Sequence, residues 1–389
     1  MDKQHFLDVG YVDKGYISPE LSSHDTYPDY IKSTVEECVD KIQSHQNRNS
    51  ISFGFMTDVH YSHTYNHNIR MLRNLNAYKE IQKRVWIDRL ILGGDYTNDG
   101  NKKYKVKQYR ELRAHLDGID YFPVNGNHDD NSIWDEFLKI ENSTQHLTAE
   151  ELYLLFYNHL PAKGAIFHKD NPRLYYYLND EMRKVRYIFL DISDIPIKFD
   201  ENGKLIYTKQ HTFAISQKQL DWLVSDALSF KEEGWDIIFI AHTLLAPSKE
   251  CEKEKGEEKY LGIINCVLDA YHKKEKISAA FYKGDFRLEL SADFSNRKGR
   301  NIIACFAGHH HADFIEYSQS GIPYIYTGNA IMYETKPKRV DGDKSELLYD
   351  IVTVDRDTHR IYLTRVGAGE DRIAVYDSGQ VSNQEIPIE

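Results

Sequence analysis

Five short runs rich in Asp, Asn and His punctuate the chain: Asp58-Val59-His60, Gly93-Gly94-Asp95, Gly126-Asn127-His128-Asp129, Ala241-His242 and Gly308-His309-His310-His311. Carboxylate and amide oxygens are hard ligands and imidazole nitrogen is borderline, so this mixed set suits manganese, iron, zinc or a related divalent ion. No cysteine falls in any of the five runs, which argues against a thiolate-bound structural zinc site. A centre of Asp, His and Asn ligands with room for solvent is suited to hydrolysis. Two metals about 3.5 to 4 Å apart can share a hydroxide, and binding lowers the pKa of water from about 15.7 toward 7. If two divalent ions were held by Asp58, Asp95 and that hydroxide, the residual positive charge would favour an anionic phosphoryl group.

Residues this far apart need a scaffold to meet. Each run follows an apolar segment that reads as a β-strand: 51–56, where Ile51, Phe53 and Phe55 alternate on one face, then 90–92, 121–124, 237–240 and 302–306. Near-continuous apolar runs of this kind suit strands covered on both faces, and helix-like segments between several of them indicate crossover connections. In open α/β sheets the ligand crevice lies beyond the carboxyl ends of the strands, which is where all five runs sit. Taken singly, each run also has an ordinary reading. Asp-x-His can cap a turn, and Gly-Asn-His-Asp can be a loop that uses Gly and Asn for positive φ. Eighteen histidines make stray matches easy.

Taken together and in order, the runs resemble the calcineurin-like metallophosphoesterase superfamily, from Asp58 to His311. The resemblance implies a four-layer α/β/β/α sandwich of two mixed sheets flanked by helices, with a binuclear metal centre. It implies one metal bound by Asp58, His60, Asp95 and His311. A second would be bound by Asp95 as the bridging carboxylate, with Asn127, His242 and His309. His128 would stabilise the transition state and help protonate the leaving oxygen, and Asp129 would orient His128. The implied reaction is in-line attack of a metal-bridging hydroxide on phosphorus, with no covalent phosphoenzyme.

Some positions depart from the family pattern. Many members carry a second His after the equivalent of His242, where this chain has Thr243. The Ser/Thr protein phosphatase branch continues its Gly-Asp block to Asp-Arg-Gly and ends the next block in Glu. Here the chain reads Thr97-Asn98-Asp99-Gly100, and the later block ends in Asp129. A bacterial-type phosphodiesterase or phosphohydrolase is the closer match, with phosphodiesters slightly preferred over phosphomonoesters. His310, between two implied ligands, is expected to point elsewhere, His63 and His67 to be exposed loop residues, and Asp191 to lie outside the site. Arg297 and Arg300 read as a surface charge cluster, with contact to a substrate phosphate as the alternative.

The 389 residues carry a formal net charge of −11, which argues against a general nucleic-acid or anionic-membrane binder. No run reaches the roughly 18 apolar residues of a membrane-spanning helix, and the start lacks the pattern of a signal peptide. Cys38, Cys251, Cys266 and Cys305 form no obvious disulfide framework. The expected setting is cytoplasmic, and the expected partner a small phosphorylated substrate. A nuclease of the same superfamily would need a basic, aromatic-lined groove that the composition does not supply. A noncatalytic metal-binding scaffold would be expected to lack His128 or several ligands. Oligomeric state is not legible.

Residues 1–50 read as an N-terminal extension packed on the core, with an amphipathic helix near 31–42. The resemblance implies a metallophosphoesterase domain over residues 51–389, with insertions near 130–172 and 244–300 as the candidate specificity wall. Within them, Thr148 and Glu151 make a capping-box signature, 261–272 is helix-like, and 249–259 is a charge-rich loop or helix. Strands are expected at 173–178, 185–190, 322–327, 347–354 and 360–365, and the tail from Asp377 is expected to be mobile.

Overall fold

The apolar runs assemble into two facing sheets. A computed structural model of the chain describes residues 26–134, 145–168, 174–244, 261–331 and 338–376. In the first sheet β1 (Ile51–Met56), β2 (Leu90–Leu92) and β3 (Tyr121–Pro123) are parallel neighbours. Antiparallel β13 (Leu348–Asp355), β14 (Arg360–Gly367) and β15 (Arg372–Val375) extend it beyond β1, giving the order β15-β14-β13-β1-β2-β3. The second sheet has a parallel centre made of β6 (Val185–Phe189), β7 (Asp236–Ile240), β10 (Ile302–Ala307) and β12 (Pro323–Tyr326). Antiparallel strands close both edges: β11 (Phe314–Tyr317) beside β12, and β5 (Tyr176–Asp180) with β4 (Ala165–Phe167) beside β6.

Side-chain alternation explains the layering. From β7, Ile238 and Ile240 enter the core between the sheets, while Ile237 and Phe239 enter a second core on the outer face. Phe53 of β1 meets Phe306 of β10 edge-on at 5.2 Å and Tyr187 of β6 at 5.9 Å, so the inner faces interdigitate.

Helices cover the outside. α1 (Asp29–His45) buries Ile31, Thr34, Val35, Cys38, Val39 and Ile42, a 3.6-residue spacing, against β13 and β14. α2 (His67–Gln82) and α3 (Lys102–His115) are the crossovers between β1, β2 and β3, and the Asn101 side chain caps α3 by accepting from the Lys103 amide. Short α4 (Ala149–Leu152) starts at the reciprocal Thr148–Glu151 capping box. On the far face lie α5 (Gln217–Trp222), α6 (Gly262–Lys273) and a hairpin of β8 (Lys276–Lys283) and β9 (Phe286–Asp293). The result is the four-layer α/β/β/α arrangement.

The hairpin, within the 244–300 insertion, has no counterpart in the sequence reading: its apolar residues Phe286, Leu288 and Leu290 alternate, but its surroundings are charge-rich. The tail from Asp377, the 249–259 segment, residues 1–25 and part of the 130–172 insertion lie outside the described residues. No helix among the described residues is long and apolar enough to cross a membrane.

Candidate metal centre

All five runs come together where the parallel strands of both sheets end. Asp58 and His60 follow β1, Asp95 follows β2, and Asn127, His128 and Asp129 follow β3. From the facing sheet, His242 follows β7, and His309 and His311 follow β10. Asp58, Asp95 and His242 are buried, with 0%, 1% and 0% of their surface exposed, so two carboxylates share a site with almost no water to solvate them.

The backbone is bent sharply to aim these groups. Asp58, His60, Asp95, His309 and His311 all have positive φ, between 37° and 67°, a conformation that costs a non-glycine residue of order 1–3 kcal/mol. The surrounding contacts hold them there. The Asp58 amide donates to Gly94 O at 3.1 Å, the His60 amide to Asp95 O at 2.9 Å, and the Gly308 amide to His242 O at 2.9 Å. Two glycines permit the approach. A Cβ on Gly126 would collide with the Asp95 amide nitrogen and carboxylate, and one on Gly308 would strike the Thr57 hydroxyl.

The donor atoms form two sets. Asp58, His60 and His311 offer ligand atoms within 4.8 Å of one another, and so do Asp58, Asp95 and His242. Asp58 Oδ2 accepts from the Thr57 hydroxyl at 2.7 Å and the His309 amide at 3.0 Å, leaving Oδ1 facing His311 Nε2 at 3.2 Å and His242 Nε2 at 3.9 Å. Asp58 belongs to both sets, and Asp95 Oδ2 of the second lies 3.3 Å from His242 Nε2 and also 3.6 Å from His60 Nε2 of the first. Asn127 Oδ1 sits 2.9 Å from His242 Nε2 and 3.1 Å from His309 Nδ1. Convergence of carboxylate, amide and imidazole donors on one buried space fits divalent cations. His242 is braced by Gly93 O, 2.7 Å from Nδ1, which directs Nε2 at the centre.

Electrostatics follow from this crowding. Burial favours neutral Asp58, but the imidazoles of His311 and His242 outweigh it and hold its carboxyl below the usual range. Asp95 is likewise held well below it, with His242 and His128 opposing the effect of burial. Burial pushes His60 and His309 down to about 3. For His242 burial is overridden by Asp95 and Asp58, which raise it to about 10.

His128 departs from the sequence reading in its partner. Its Nδ1 makes a short hydrogen bond to Asp99 Oδ2, and its ring stands edge-on to His60 at 5.1 Å. Burial opposes charge on His128, but Asp99 and Asp95 prevail and raise it to about 9. Asp129, expected to orient His128, is committed elsewhere. It accepts from the amides of Asp95 at 3.0 Å, Tyr96 at 2.8 Å and Gly126 at 2.7 Å, and from the Tyr109 hydroxyl at 2.9 Å. It therefore clamps the Asp95 loop to the Gly126 loop. Adjacency to His128 in sequence misled, because the Asp129 carboxylate is taken up by the amides of Asp95, Tyr96 and Gly126 while His128 meets Asp99. Asp99 was visible only as a departure from the Asp-Arg-Gly pattern; its position four residues past Asp95 was the available signal.

Other expectations also change. His67 is buried at the start of α2, with Nδ1 3.2 Å from His60 O. His63 has a largely covered side chain whose Nε2 lies 2.6 Å from Glu111 Oε2. Neither is an exposed loop residue, because α2 and α3 close over this segment. Arg297 is not free to meet phosphate: it donates to the main-chain carbonyls of Tyr271, His272, Gly299 and Arg300. Arg300 lies near Asp236, at the end of β7 opposite His242. His310 turns away, against the rings of Phe314 and Tyr326. Asp191 stays outside the donor sets, accepting from Asn125 Nδ2 at 3.0 Å beneath the Asn127 loop.

Fold and donor geometry agree with the comparison to known families: residues 51–313 match the calcineurin-like phosphoesterase model. The chain belongs to that family, and is thus a metallophosphoesterase, a phosphoester hydrolase by class. Among solved structures it is similar to a dimetal phosphatase from Danio rerio, at 15% identity and a TM-score of 0.49, over 84% of this chain and 99% of that one. It is also similar to a 5'-nucleotidase from Candida albicans, at 18% identity and a TM-score of 0.39, over 73% and 47% of the two chains. No curated protein matches the chain significantly in sequence. The family match, and not these distant likenesses, assigns the family.

Proposed function

We propose that the chain hydrolyses a small phosphorylated substrate at a binuclear metal centre. Asp58, His60, Asp95 and His311 would hold one ion, and Asp95, Asn127, His242 and His309 the other. The observation that carries this reading is the position of Asp95 Oδ2 between His60 and His242, one imidazole from each set. When bound, a pair of divalent ions supplies Lewis acidity toward the phosphoryl oxygens and a nucleophile from water at neutral pH.

The chain's own residues do the rest. Against the effect of burial, Asp99 favours the protonated form of His128. Its Nδ1 is taken by Asp99, so Nε2 is the atom that can give a proton to the departing oxygen. The same positive charge favours the negative charge that builds on phosphoryl oxygens. Asp129, by clamping the loops of Asp95 and Gly126, keeps His128 at a constant distance from the ligands. Beyond the phosphoryl group the substrate meets side chains outside the five runs, and diesters are our first choice over monoesters.

The test is a hydrolysis panel of paired phosphomonoesters and phosphodiesters, with an oligonucleotide included, on protein reconstituted with manganese, iron or zinc. Turnover of at least one small ester that depends on added metal is expected. No turnover of any member at full metal occupancy overturns the reading, and preferential cleavage of the oligonucleotide replaces it with a nuclease.

A further inference from the structure

We propose that Lys105 is a positioning residue for proton delivery by His128, an inference that rests on the phosphoesterase reading. Lys105 lies early in α3, on the buried face with Gln108, Tyr109 and Leu112, and none of its surface is exposed. A buried ammonium has to place its protons on nearby acceptors. Lys105 Nζ donates to His128 O at 2.7 Å, Thr97 O at 3.1 Å and Asn98 O at 3.3 Å, and Asp99 Oδ1 lies 3.6 Å away as its counter-charge.

These acceptors come from two different loops. Thr97, Asn98 and Asp99 belong to the segment after Asp95, whereas His128 follows Asn127. One cation thus ties together the two segments whose side chains, Asp99 and His128, meet at Nδ1. Three carbonyl acceptors use the three ammonium protons, so the tie has a defined direction as well as a charge. No other described lysine shown donating to main-chain carbonyls reaches both loops. Lys105 touches no metal-ligand side chain. Its effect therefore reaches the reaction through the aim of His128.

A lysine that merely anchored α3 would, when replaced, lower stability or metal content and slow every substrate alike. A lysine that aims the acid has a different signature, because a nitrophenolate departs without a proton and an alkoxide does not. The experiment compares a nitrophenyl and an alkyl ester of whichever series the protein turns over, using the full chain loaded with zinc. Lys105→Met keeps the aliphatic stem and removes the charge and donors; Lys105→Gln keeps an amide donor and serves in the same comparison where Lys105→Met does not fold.

General acid catalysis contributes about 10²–10⁴-fold, so kcat for the alkyl ester is expected to fall about tenfold or more beyond any loss for the nitrophenyl ester. KM and zinc content are expected to hold. A proton spectrum of the zinc-loaded protein supplies a readout independent of turnover: the downfield His128 Nδ1 proton shared with Asp99 is expected to shift or vanish in the variant. Equal losses for the two esters, or no loss, overturn the role of Lys105 while leaving the phosphoesterase reading intact. Failure of the unsubstituted protein to turn over any member of the manganese, iron or zinc panel at full metal occupancy overturns that reading and this inference with it.

Discussion

In the proposed reaction, His128 and Asp99 are where the chemistry of this centre separates from its metal binding. Neither offers an atom to the two donor sets, yet the pair sits against His60 and Asp95. His128→Ala is therefore expected to keep its metal content while kcat falls by about 10²–10⁴-fold, the usual worth of a positioned proton donor. Elemental analysis beside turnover checks this, and unchanged turnover at matched metal load removes His128 from the reaction. Asp99→Asn keeps the shape of the contact but weakens its hold on an imidazolium, so a smaller loss in kcat with little change in KM is expected. At this scale the sequence was most legible where residue types were unusual: the Asp, Asn and His runs announce a metal site. It was least legible where an ordinary residue acquires a role from the fold. Asp99 and Lys105 belong to no metal-ligand pattern, and only the approach of the β2 and β3 loops gives them their partner. Asp129, next to His128 in the chain, was assigned the contact that Asp99 makes.

Loops of the centre are held by elements that never touch it. Asp313, two residues past His311, is gripped by Arg365 of β14, whose guanidinium also binds Asp350 of β13 at 2.9 Å. Asp313 in turn accepts from the Gly328 amide at 2.9 Å. The His309 to His311 loop of the second sheet is thereby fastened to the first. Arg365 is 4% exposed and Asp350, which also holds Arg372, is fully buried, so Asp350→Ala would leave two guanidiniums to share the one carboxylate of Asp313 and is expected to destabilise by about 3–5 kcal/mol. Denaturant unfolding measures that loss, and metal affinity should weaken with it as the His311 loop loosens; full stability in the variant would show the network to be slack. Gly126→Ala tests the opposite kind of constraint. Its methyl group meets the Asp95 main chain, which cannot swing aside as a side chain would, so reduced metal stoichiometry is expected with the fold retained. Strands were legible from apolar alternation within a residue or two, as at residues 185–190 against β6. The β8–β9 hairpin and the edge strands β4, β11 and β15 were not, because they are partly exposed and lack the continuous apolar run that marks a strand covered on both faces.

Across the whole molecule, the same burial that builds the centre makes the fold sensitive to acid. His67 and His159 are both held down to about 4 from the ordinary 6.5, chiefly by burial. A neutral imidazole favoured by the folded state contributes stability in full above the unfolded pKa, about 6.5. Between there and about 4 the unfolded chain takes up a proton that the folded chain refuses, so stability falls as pH falls through that window. His159 is the cleaner probe, because it packs against Tyr121 at 4.6 Å, at the start of β3 and therefore at the opposite end of that strand from Asn127. Protons also compete with metals for imidazole and carboxylate ligands, so the measurement needs chelated protein to isolate the histidines from loss of the ions. Under chelation, the thermal midpoint is expected to drop as pH is lowered from about 6.5 toward 4, and His159→Phe, which keeps a ring on Tyr121 but cannot titrate, is expected to flatten the drop. An identical slope in the variant would mean that His159 takes its proton in the folded state, and that the covering around β3 admits water more freely than its packing indicates. With metal restored, both proteins should gain stability at neutral pH by the same amount, since His159 makes no contact with the donor sets.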